Sequence, residues 1–351
     1  MTPEPINSKS ICELYAEAEH ERVVLWSDSS CGYRGIIAIH STALGPAVGG
    51  TRVWNYDCEK TASLDALRLS KAMSYKNALA GLPFGGGKAV IITDCSDVDR
   101  ERIFRAHGRF VDSLGGKFIT AEDIGTRPSD MEFVRKETSW VAGLPGGSGD
   151  PSPMTALGVF RSMQACAMHR WGSSELANKT VAIQGCGSTG YNLAKNLFNA
   201  GANLIATDVD PLRLQKVVKE FAATGVAPDE IYSVHADIFA PCAFGGVINE
   251  KSIQQLKAEI VVGSANNQLL GDSDGELLVE LEILYGPDCI ANSGGMINGC
   301  RELLGWDADV AKKKIDDIYD RMLAILNLAR EEKVPPHTSA ERLAQKLIRG
   351  N

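Results

Sequence analysis

Residues 180–190 read Thr-Val-Ala-Ile-Gln-Gly-Cys-Gly-Ser-Thr-Gly, and this stretch decides the fold of the second half of the chain. The β-branched run at 180–184 predicts a buried strand, and 191–199 predicts a helix directly after the glycines. A second strand is expected at 204–208, where it ends in Asp208. Strand, G-x-G-x-x-G, helix, strand and acid together form the dinucleotide-binding fingerprint in its required context.

Each part of this fingerprint has a physical role. Gly185 makes the tight turn, Gly187 lets a pyrophosphate approach the backbone, and Gly190 lets the helix pack on the strand. The N-terminus of the helix offers N–H groups and a positive dipole end to the phosphates. The charge of Asp208 suits ribose hydroxyls and repels a 2′-phosphate, so we expect NAD rather than NADP. The alternative is a Rossmann-like loop that binds no nucleotide, and Arg213 either lines the adenosine side or is a solvated helix residue.

The second half alternates strand and helix, which is typical of an α/β domain. Further strands are expected at 237–240 and 260–263, followed by small or polar loops at 241–246 and 264–267. Such loops cluster at the carboxyl ends of parallel strands, where open α/β sheets bind ligands. Residues 292–298 read Asn-Ser-Gly-Gly-Met-Ile-Asn and predict another loop whose glycines allow close approach to the backbone.

Bulk properties limit the class of protein. The length of 351 residues predicts two domains, and the Gly/Pro/Ser-rich stretch 143–153 predicts the linker or hinge between them. The net charge of −8 argues against a nucleic-acid or anionic-membrane binder, and no apolar run is long enough to cross a bilayer. The 9 cysteines and 6 histidines show no disulfide or metal-ligand spacing, so we expect no metal. Residues 1–21 lack a signal-peptide pattern, which favours a cytoplasmic location.

A second glycine-rich stretch lies in the first half, where residues 82–92 read Leu-Pro-Phe-Gly-Gly-Gly-Lys-Ala-Val-Ile-Ile. It predicts Lys88 at the mouth of a buried strand. The stretch is not a phosphate loop, because Leu82 and Ala89 stand where that motif needs Gly and Ser or Thr. The alternative is a glycine-rich turn that carries a solvated lysine.

Three further features of the first half are candidates for a site. Lys76 shares the apolar stripe of a helix predicted over 61–80, either as a snorkelling lysine or as a desolvated ammonium aimed at a carboxylate. Asp123 comes just past the end of a predicted strand, a functional position in α/β sheets, although turn or helix capping also explains it. The pair Gly49 and Gly50 predicts either close approach of a ligand or a strand bulge.

Several motifs, in order along nearly the whole chain, resemble the family of leucine, valine, phenylalanine and tryptophan dehydrogenases, which is related more distantly to glutamate dehydrogenase. The motifs lie at 45–52, 75–77, 85–88, 120–125, 185–190, 239–242, 265–267 and 292–295. The resemblance implies two α/β domains with a cleft between them. A mixed α/β substrate and oligomerisation domain would comprise 1–147 plus 334–351, and a Rossmann-type NAD domain 148–333.

The resemblance also implies a reaction: reversible oxidative deamination of an L-amino acid to its 2-oxo acid, with NADH and ammonia as co-products. Lys88 would activate the attacking water, Asp123 would relay protons to and from the amine, and Lys76 would hold the substrate carboxylate. A homo-oligomer is implied as well. Gly49, Gly50 and Asn267 would orient the substrate, and Val48, Ala121, Met296 and Gly299 would line the side-chain pocket. NAD would be bound by Arg52, Thr155, Gly185, Cys186, Gly187, Ser188, Thr189, Gly190, Asp208, Val209, Arg213, Cys242, Ala243, Ala265 and Asn266.

The identity of the amino acid depends on the pocket positions. Val48 and Ala121 fit an aliphatic substrate, whereas Met296 is longer than the usual small branched residue and Gly299 leaves a roomier wall. We therefore expect leucine and other branched-chain substrates, with phenylalanine or tryptophan as the alternative. An acidic substrate is not expected, because no spare cation is assigned to a second carboxylate. From another class, the chain could be a catalytically silent NAD or amino-acid sensor, against which the two lysines and Asp123 count.

Overall fold

The computed structural model describes residues 10–93, 99–144 and 147–350. The chain divides into a first unit, Met1–Gly149 with Ala344–Asn351, and a second unit, Asp150–Leu343. Each unit has its own sheet, which confirms the predicted two-domain α/β fold class. Residues 1–9 of the predicted substrate domain and 145–146 of the predicted linker lie outside the described residues.

The first unit contains five strands and four helices within its described part up to the first junction. Their bounds are α1 Ile11–Glu17, β1 Arg22–Asp28, β2 Tyr33–Ser41, β3 Ala47–Trp54, α2 Glu59–Leu79, β4 Gly85–Ile92, α3 Arg100–Asp112, β5 Phe118–Glu122 and α4 Pro128–Arg135. The sheet order is β1-β2-β4-β3-β5. The pairs β1–β2 and β2–β4 are antiparallel, whereas β3 runs parallel to both β4 and β5.

Side-chain alternation along β4 gives this sheet two different faces. Val90 and Ile92 pack with Ala66 and Leu67 of α2, on what we call the α2 face. Ala89 and Ile91 belong to the opposite cluster, which includes residues of α3. Any side chain on β4 can therefore be assigned to a face from its position.

The second unit is built on a six-stranded, all-parallel sheet in the order β11-β10-β9-β6-β7-β8. Its elements are α5 Ser152–Trp171, β6 Thr180–Gln184, α6 Ser188–Asn199, β7 Asn203–Thr207, α7 Pro211–Phe221, β8 Thr224–Gly225, β9 Ile238–Pro241, α8 Glu250–Ile253, β10 Ile260–Val261, α9 Asp272–Glu280, β11 Leu284–Tyr285, α10 Asp288–Ala291, α11 Gly294–Leu304, α12 Ala308–Asp316 and α13 Ile318–Glu332. The last helix, α14 Pro336–Arg349, begins in the second unit and ends in the first. The predicted Rossmann-type sheet is confirmed.

Two sequence interpretations are wrong in detail. The predicted loop at 292–298 is mostly helix, because α11 begins at Gly294. The close approach expected there is real, since a Cβ on Gly294 would lie 2.1 Å from the carbonyl oxygen of Met154 in α5. The amphipathic pattern of residues 310–329 predicts one long helix. The structure instead has two helices, α12 and α13, which meet at Asp317.

Within the described residues, no helix has both the length and the apolar character that a membrane span requires.

Candidate active site

Lys88 lies inside β4 rather than at its mouth, so the alternative of a solvated lysine on a glycine-rich turn is wrong. Lys88 pairs with Ala38 of β2, which belongs to the cluster on the α2 face. The side chain of Lys88 therefore lies on the α2 face as well. Only 5% of the residue is exposed. The glycines before it let α2 approach, because a Cβ on Gly86 would lie 2.0 Å from the backbone nitrogen of Ser74.

The structure brings Lys88 and Asp123 together. Asp123 follows β5 directly, and its Oδ2 lies 2.8 Å from Nζ of Lys88. Burial lowers the pKa of Lys88 below its ordinary value, although the charge of Asp123 partly opposes this shift. Burial would raise the pKa of Asp123, but Lys88 and Arg52 outweigh it and hold that pKa below the ordinary value. The pair is a buried amine in direct contact with an ionised carboxylate.

Arg52, predicted to bind the cofactor, forms two ion pairs in the first unit. Its Nε lies 2.9 Å from Asp123 Oδ2, and one terminal nitrogen lies 2.8 Å from Asp65 Oδ2. Its charge acts to lower the pKa of Lys88. The structure thus identifies Arg52 as a cation beside the Lys88–Asp123 pair.

Lys76 lies in the last turn of α2 and is partly exposed. This end of the helix is tied to the start of β4, since Asn77 Nδ2 donates to the carbonyl oxygen of Gly85 at 2.6 Å. Lys76 and Lys88 therefore belong to elements that pack against each other. Sequence spacing alone could not establish this, because it depends on how the loop between them turns.

Gly49 and Gly50 are required by strand packing. A Cβ on Gly49 would lie 1.7 Å from the carbonyl oxygen of Gly87, and one on Gly50 would lie 2.8 Å from Cβ of Asp123. Both glycines pair in regular register with β5, opposite Thr120 and Ala121, so the bulge alternative is not what the structure shows. Their small size lets β3 and β5 bring Asp123 close to Lys88.

The predicted side-chain pocket residues lie on three elements: β3 and β5 of the first unit and α11 of the second. Register places Val48 opposite Gly86 and Ala121 opposite Gly50, so both share the α2 face with Lys88. Met296 and Gly299 are one turn apart on α11 of the second unit, and both are partly exposed. A Cβ added to Gly299 would meet no atom within 4 Å, which leaves open space there.

The glycine-rich loop of the second unit has the geometry of a phosphate cradle. Gly185 has φ +102°, a left-handed value that favours glycine, and Gly187 caps the N-terminus of α6. A Cβ on Gly190 would lie only 1.9 Å from the carbonyl oxygen of Gly185, so the helix packs tightly on the turn. Ser188 and Thr189 open the helix, where N–H groups favour an anion. These residues fit a bound dinucleotide.

Asp208 lies just past β7, as expected for a residue that faces the ribose. Its Oδ2 accepts the N–H of Cys186 at 2.6 Å, and its Oδ1 accepts the N–H of Asp210 at 2.7 Å. Arg213 pairs with Asp210 at 3.3 Å and has Nη1 3.9 Å from where a Gly187 Cβ would lie. Arg213 therefore extends over the loop rather than away from it.

The remaining residues predicted to bind the cofactor lie on loops and helix ends around the same sheet. A Gly185 Cβ would lie 2.8 Å from Cβ of Ala243, and the N–H of Cys242 donates to Gln184 at 2.7 Å. Val209 is strongly exposed, whereas Cys186 is buried and burial raises the pKa of its thiol to about 12. The hydroxyl of Thr155 donates within the first turn of α5.

The loop at 264–267 is held by side chains that the sequence analysis did not identify. Ala265 donates its N–H to Pro241, and Asn266 Oδ1 accepts from Asn292 at 2.8 Å. Asn267 has φ +51°, and its N–H donates to Asp288 Oδ2 at 2.6 Å. Asp288 Oδ1 also accepts a hydrogen bond from the hydroxyl of Tyr285 at 3.0 Å.

Asp65 is a second residue that the sequence analysis missed. It follows the same helical spacing as Leu69, Met73 and Lys76, so its position on the apolar stripe was a usable signal. A carboxylate on such a stripe needs a partner. Here the partners include Arg52 and the hydroxyl of Tyr56.

Two family models match the chain. A model described as "Glu/Leu/Phe/Val dehydrogenase, dimerisation domain" matches residues 20–140. One described as "Glutamate/Leucine/Phenylalanine/Valine dehydrogenase" matches residues 146–210 and 212–349.

Individual relatives cover almost the full length. Leucine dehydrogenase of Bacillus cereus is 46% identical over 96% of this chain and 93% of its own. Valine dehydrogenase of Streptomyces coelicolor is 44% identical over 93% of this chain and 91% of its own. The crystal structure of L-tryptophan dehydrogenase from Nostoc punctiforme is 43% identical, with a TM-score of 0.89 over 97% of this chain and 98% of that one.

The matched segments contain both the Lys88–Asp123 pair and the glycine-rich cradle of the second unit. The chain belongs to the glutamate, leucine, phenylalanine and valine dehydrogenase family and is an amino-acid dehydrogenase.

Proposed function

We propose that the protein is an NAD-dependent dehydrogenase of branched-chain L-amino acids, with leucine as the preferred type of substrate. It would release the 2-oxo acid and ammonia and would also run in reverse. The observation that carries this proposal is the 2.8 Å contact between the buried Lys88 amine and Asp123. We also assign substrate binding and homo-oligomerisation to the first unit and NAD binding to the second.

Lys88 is the general base in this proposal. A lysine is a useful base near neutral pH when its pKa is depressed, and burial together with Arg52 depresses the pKa of Lys88. Lys88 takes a proton from the water that attacks the imino carbon. Asp123 removes and returns protons at the substrate nitrogen, and its contact with Lys88 gives the protons a short path between the two groups.

Other predicted site residues bind the substrate in this proposal. Lys76 binds the α-carboxylate, and Asn267, with Gly49 and Gly50 at the sheet, orients the rest of the amino acid. When bound, NAD supplies the redox step, the acceptance of a hydride from the substrate Cα. The cradle from Gly185 to Gly190 holds its pyrophosphate, and the charge of Asp208 favours NAD over NADP.

The preference for leucine rests on the small aliphatic residues Val48 and Ala121 on the α2 face. The open space at Gly299 favours a second candidate, an aromatic amino acid. Methylene-scale differences in a pocket give only about 1–3 kcal/mol of discrimination. A relative active on tryptophan and one active on leucine are similarly close to this chain, so the substrate is decided by assay.

The experiment is a scan of NADH formation with each L-amino acid in the presence of NAD, repeated with NADP. We expect the highest kcat/KM with leucine and NAD. Preference for phenylalanine or tryptophan would support the second candidate. The absence of NADH formation with every amino acid, from folded protein that binds NAD, would indicate a sensor and contradict the proposal.

A further inference from the structure

Asp65 is a carboxylate with three side-chain donors, and one of them, Arg52, also contacts Asp123. Its Oδ2 accepts from Arg52 at 2.8 Å and from the Tyr56 hydroxyl at 2.6 Å, and its Oδ1 accepts from Arg68 at 3.0 Å. Its side chain is 15% exposed. A largely buried carboxylate with three donors is held in one orientation, and its charge is well compensated.

Arg52 connects this carboxylate to the proposed catalytic pair. Nε of Arg52 binds Asp123, and a terminal nitrogen binds Asp65. These two contacts together fix the orientation of the planar guanidinium. Arg52 stands on β3, Asp65 on α2, and Asp123 just past β5. Through Arg52, the orientation of the Asp123 carboxylate therefore depends on Asp65 of α2.

This chain has alternating charge: Asp65, Arg52, Asp123 and Lys88 follow one another at 2.8, 2.9 and 2.8 Å. Asp123 is 23% exposed, so water competes for its oxygens and the Arg52 contact restricts its rotation. Without Asp65, Arg52 keeps one fixed contact and its guanidinium can rotate. A carboxylate that must relay a proton to a substrate nitrogen depends on such alignment.

We propose that Asp65 is a positioning residue for the amino-acid dehydrogenase reaction: acting through Arg52, it fixes the orientation of Asp123 and so aligns the Lys88–Asp123 pair. This inference rests on the roles proposed above for Lys88 and Asp123. Tyr56 supports Asp65 in turn. Asp65 touches no reacting atom, so its effect on the reaction is indirect.

The charges around the pair give this inference a measurable sign. The negative charges of Asp123 and Asp65 raise the pKa of Lys88, and the positive charge of Arg52 lowers it. Asp65 itself faces Arg52, Tyr56 and Arg68. Asp65→Asn removes one anion, so the pKa of Lys88 falls. The rising limb of kcat/KM against pH, which reports deprotonation of Lys88, then moves to lower pH.

The test compares Asp65→Asn with Asp28→Asn, the same chemical change at a carboxylate that pairs with Arg109 at 3.1 Å in the same unit. For Asp65→Asn we expect kcat to fall about tenfold and the rising limb to move down by roughly 0.5 pH unit, with KM for NAD within about twofold. Tyr56→Phe, which keeps the charge, lowers kcat without moving the limb. Asp28→Asn changes none of these quantities.

A second measurement needs no turnover. The rate at which an amine-reactive reagent labels Lys88, followed by mass spectrometry against pH, reports the pKa of Lys88 directly. We expect the midpoint in folded Asp65→Asn below that in the wild type and in Asp28→Asn. Equal midpoints, or pH profiles and kcat values that match those of Asp28→Asn, would overturn the inference. If the wild type forms no NADH with any amino acid, the proposed function fails and the labelling midpoint alone decides whether Asp65 acts on Lys88.

Discussion

At the scale of single residues, the proposed chemistry depends on one amine, that of Lys88, placed inside a sheet. A lysine in the middle of a strand is normally excluded, because an unpaired buried charge is costly. Here Asp123 pairs with Lys88, and Arg52 and Asp65 continue the chain of ion pairs that compensates the buried charges. Cations and anions alternate, so the site keeps Lys88 buried without fixing it permanently in the charged form.

Gly299→Val tests the substrate pocket at the same scale. The added side chain enters open space and keeps the helix, so the fold should survive. We expect kcat/KM for phenylalanine and tryptophan to fall about tenfold relative to that for leucine, the size of a methylene-scale steric effect. The measurement is the ratio of kcat/KM values before and after substitution. An unchanged ratio would mean that Gly299 does not face the substrate side chain.

At the scale of elements, the β6–loop–α6–β7 unit could be predicted from sequence because its signals are local. Local signals also predict strands at 22–27 and 34–40, and in the structure β1 and β2 pair there as an antiparallel hairpin. The neighbours of β4 could not be predicted, because pairing with β2 and β3 joins residues far apart in the chain. The chain of ion pairs through Arg52 follows from that pairing, and it was missed for the same reason.

The helical start of α11 was missed for a different reason. Glycine has a low intrinsic helix propensity, so Gly294 and Gly295 predicted a loop. In the structure these residues let α11 pack against the start of α5, where a Cβ on Gly295 would lie 2.4 Å from the hydroxyl oxygen of Thr155. Tertiary packing outweighed local propensity at this position.

The glycine-rich cradle provides a matched pair of substitutions at the element scale. Gly190→Ala places a Cβ 1.9 Å from a backbone oxygen, whereas the nearest atom to a Cβ on Gly187 is a flexible arginine nitrogen at 3.9 Å. We expect Gly190→Ala to unfold or distort the loop, lower the Tm and weaken NAD binding at least tenfold. Gly187→Ala should keep the Tm and weaken NAD binding alone. Calorimetry of both variants distinguishes them, and equal Tm losses would contradict the packing argument.

At the scale of the whole molecule, stability is tied to pH through buried histidine. His107 of α3 is fully buried, with Tyr33 Oη and Thr51 Oγ1 each 2.8 Å from one of its ring nitrogens. Burial lowers the pKa of His107 from 6.5 to about 3. The ring is therefore neutral in the folded protein, behind the strands that carry the site.

The sign of the pH dependence follows from that depressed pKa. Above pH 6.5 the histidine is neutral in both states, and its contribution to stability is complete. As the pH falls from 6.5 toward about 3, only the unfolded chain takes up the proton. The free energy of unfolding then drops by about 1.4 kcal/mol per pH unit on account of this group.

His107→Gln should remove the contribution of this histidine to the fall in the free energy of unfolding between pH 6.5 and pH 4. The variant is less stable than the wild type at pH 7, because the hydrogen bonds to Tyr33 and Thr51 are disturbed, but the difference narrows as the pH falls to 4. Urea unfolding at several pH values measures both quantities. A difference that stays constant from pH 7 to pH 4 would show that His107 does not titrate as described.

The most direct test of the central claim is turnover and NAD binding by Lys88→Ala, with Lys117→Ala, an exposed lysine before β5, as its control. If Lys88 is the base, kcat for the preferred amino acid falls by roughly 10²–10⁴-fold, while the dissociation constant for NAD and the Tm stay near those of the control. Loss of NAD binding with the fold intact, or turnover equal to that of Lys117→Ala, would contradict the account.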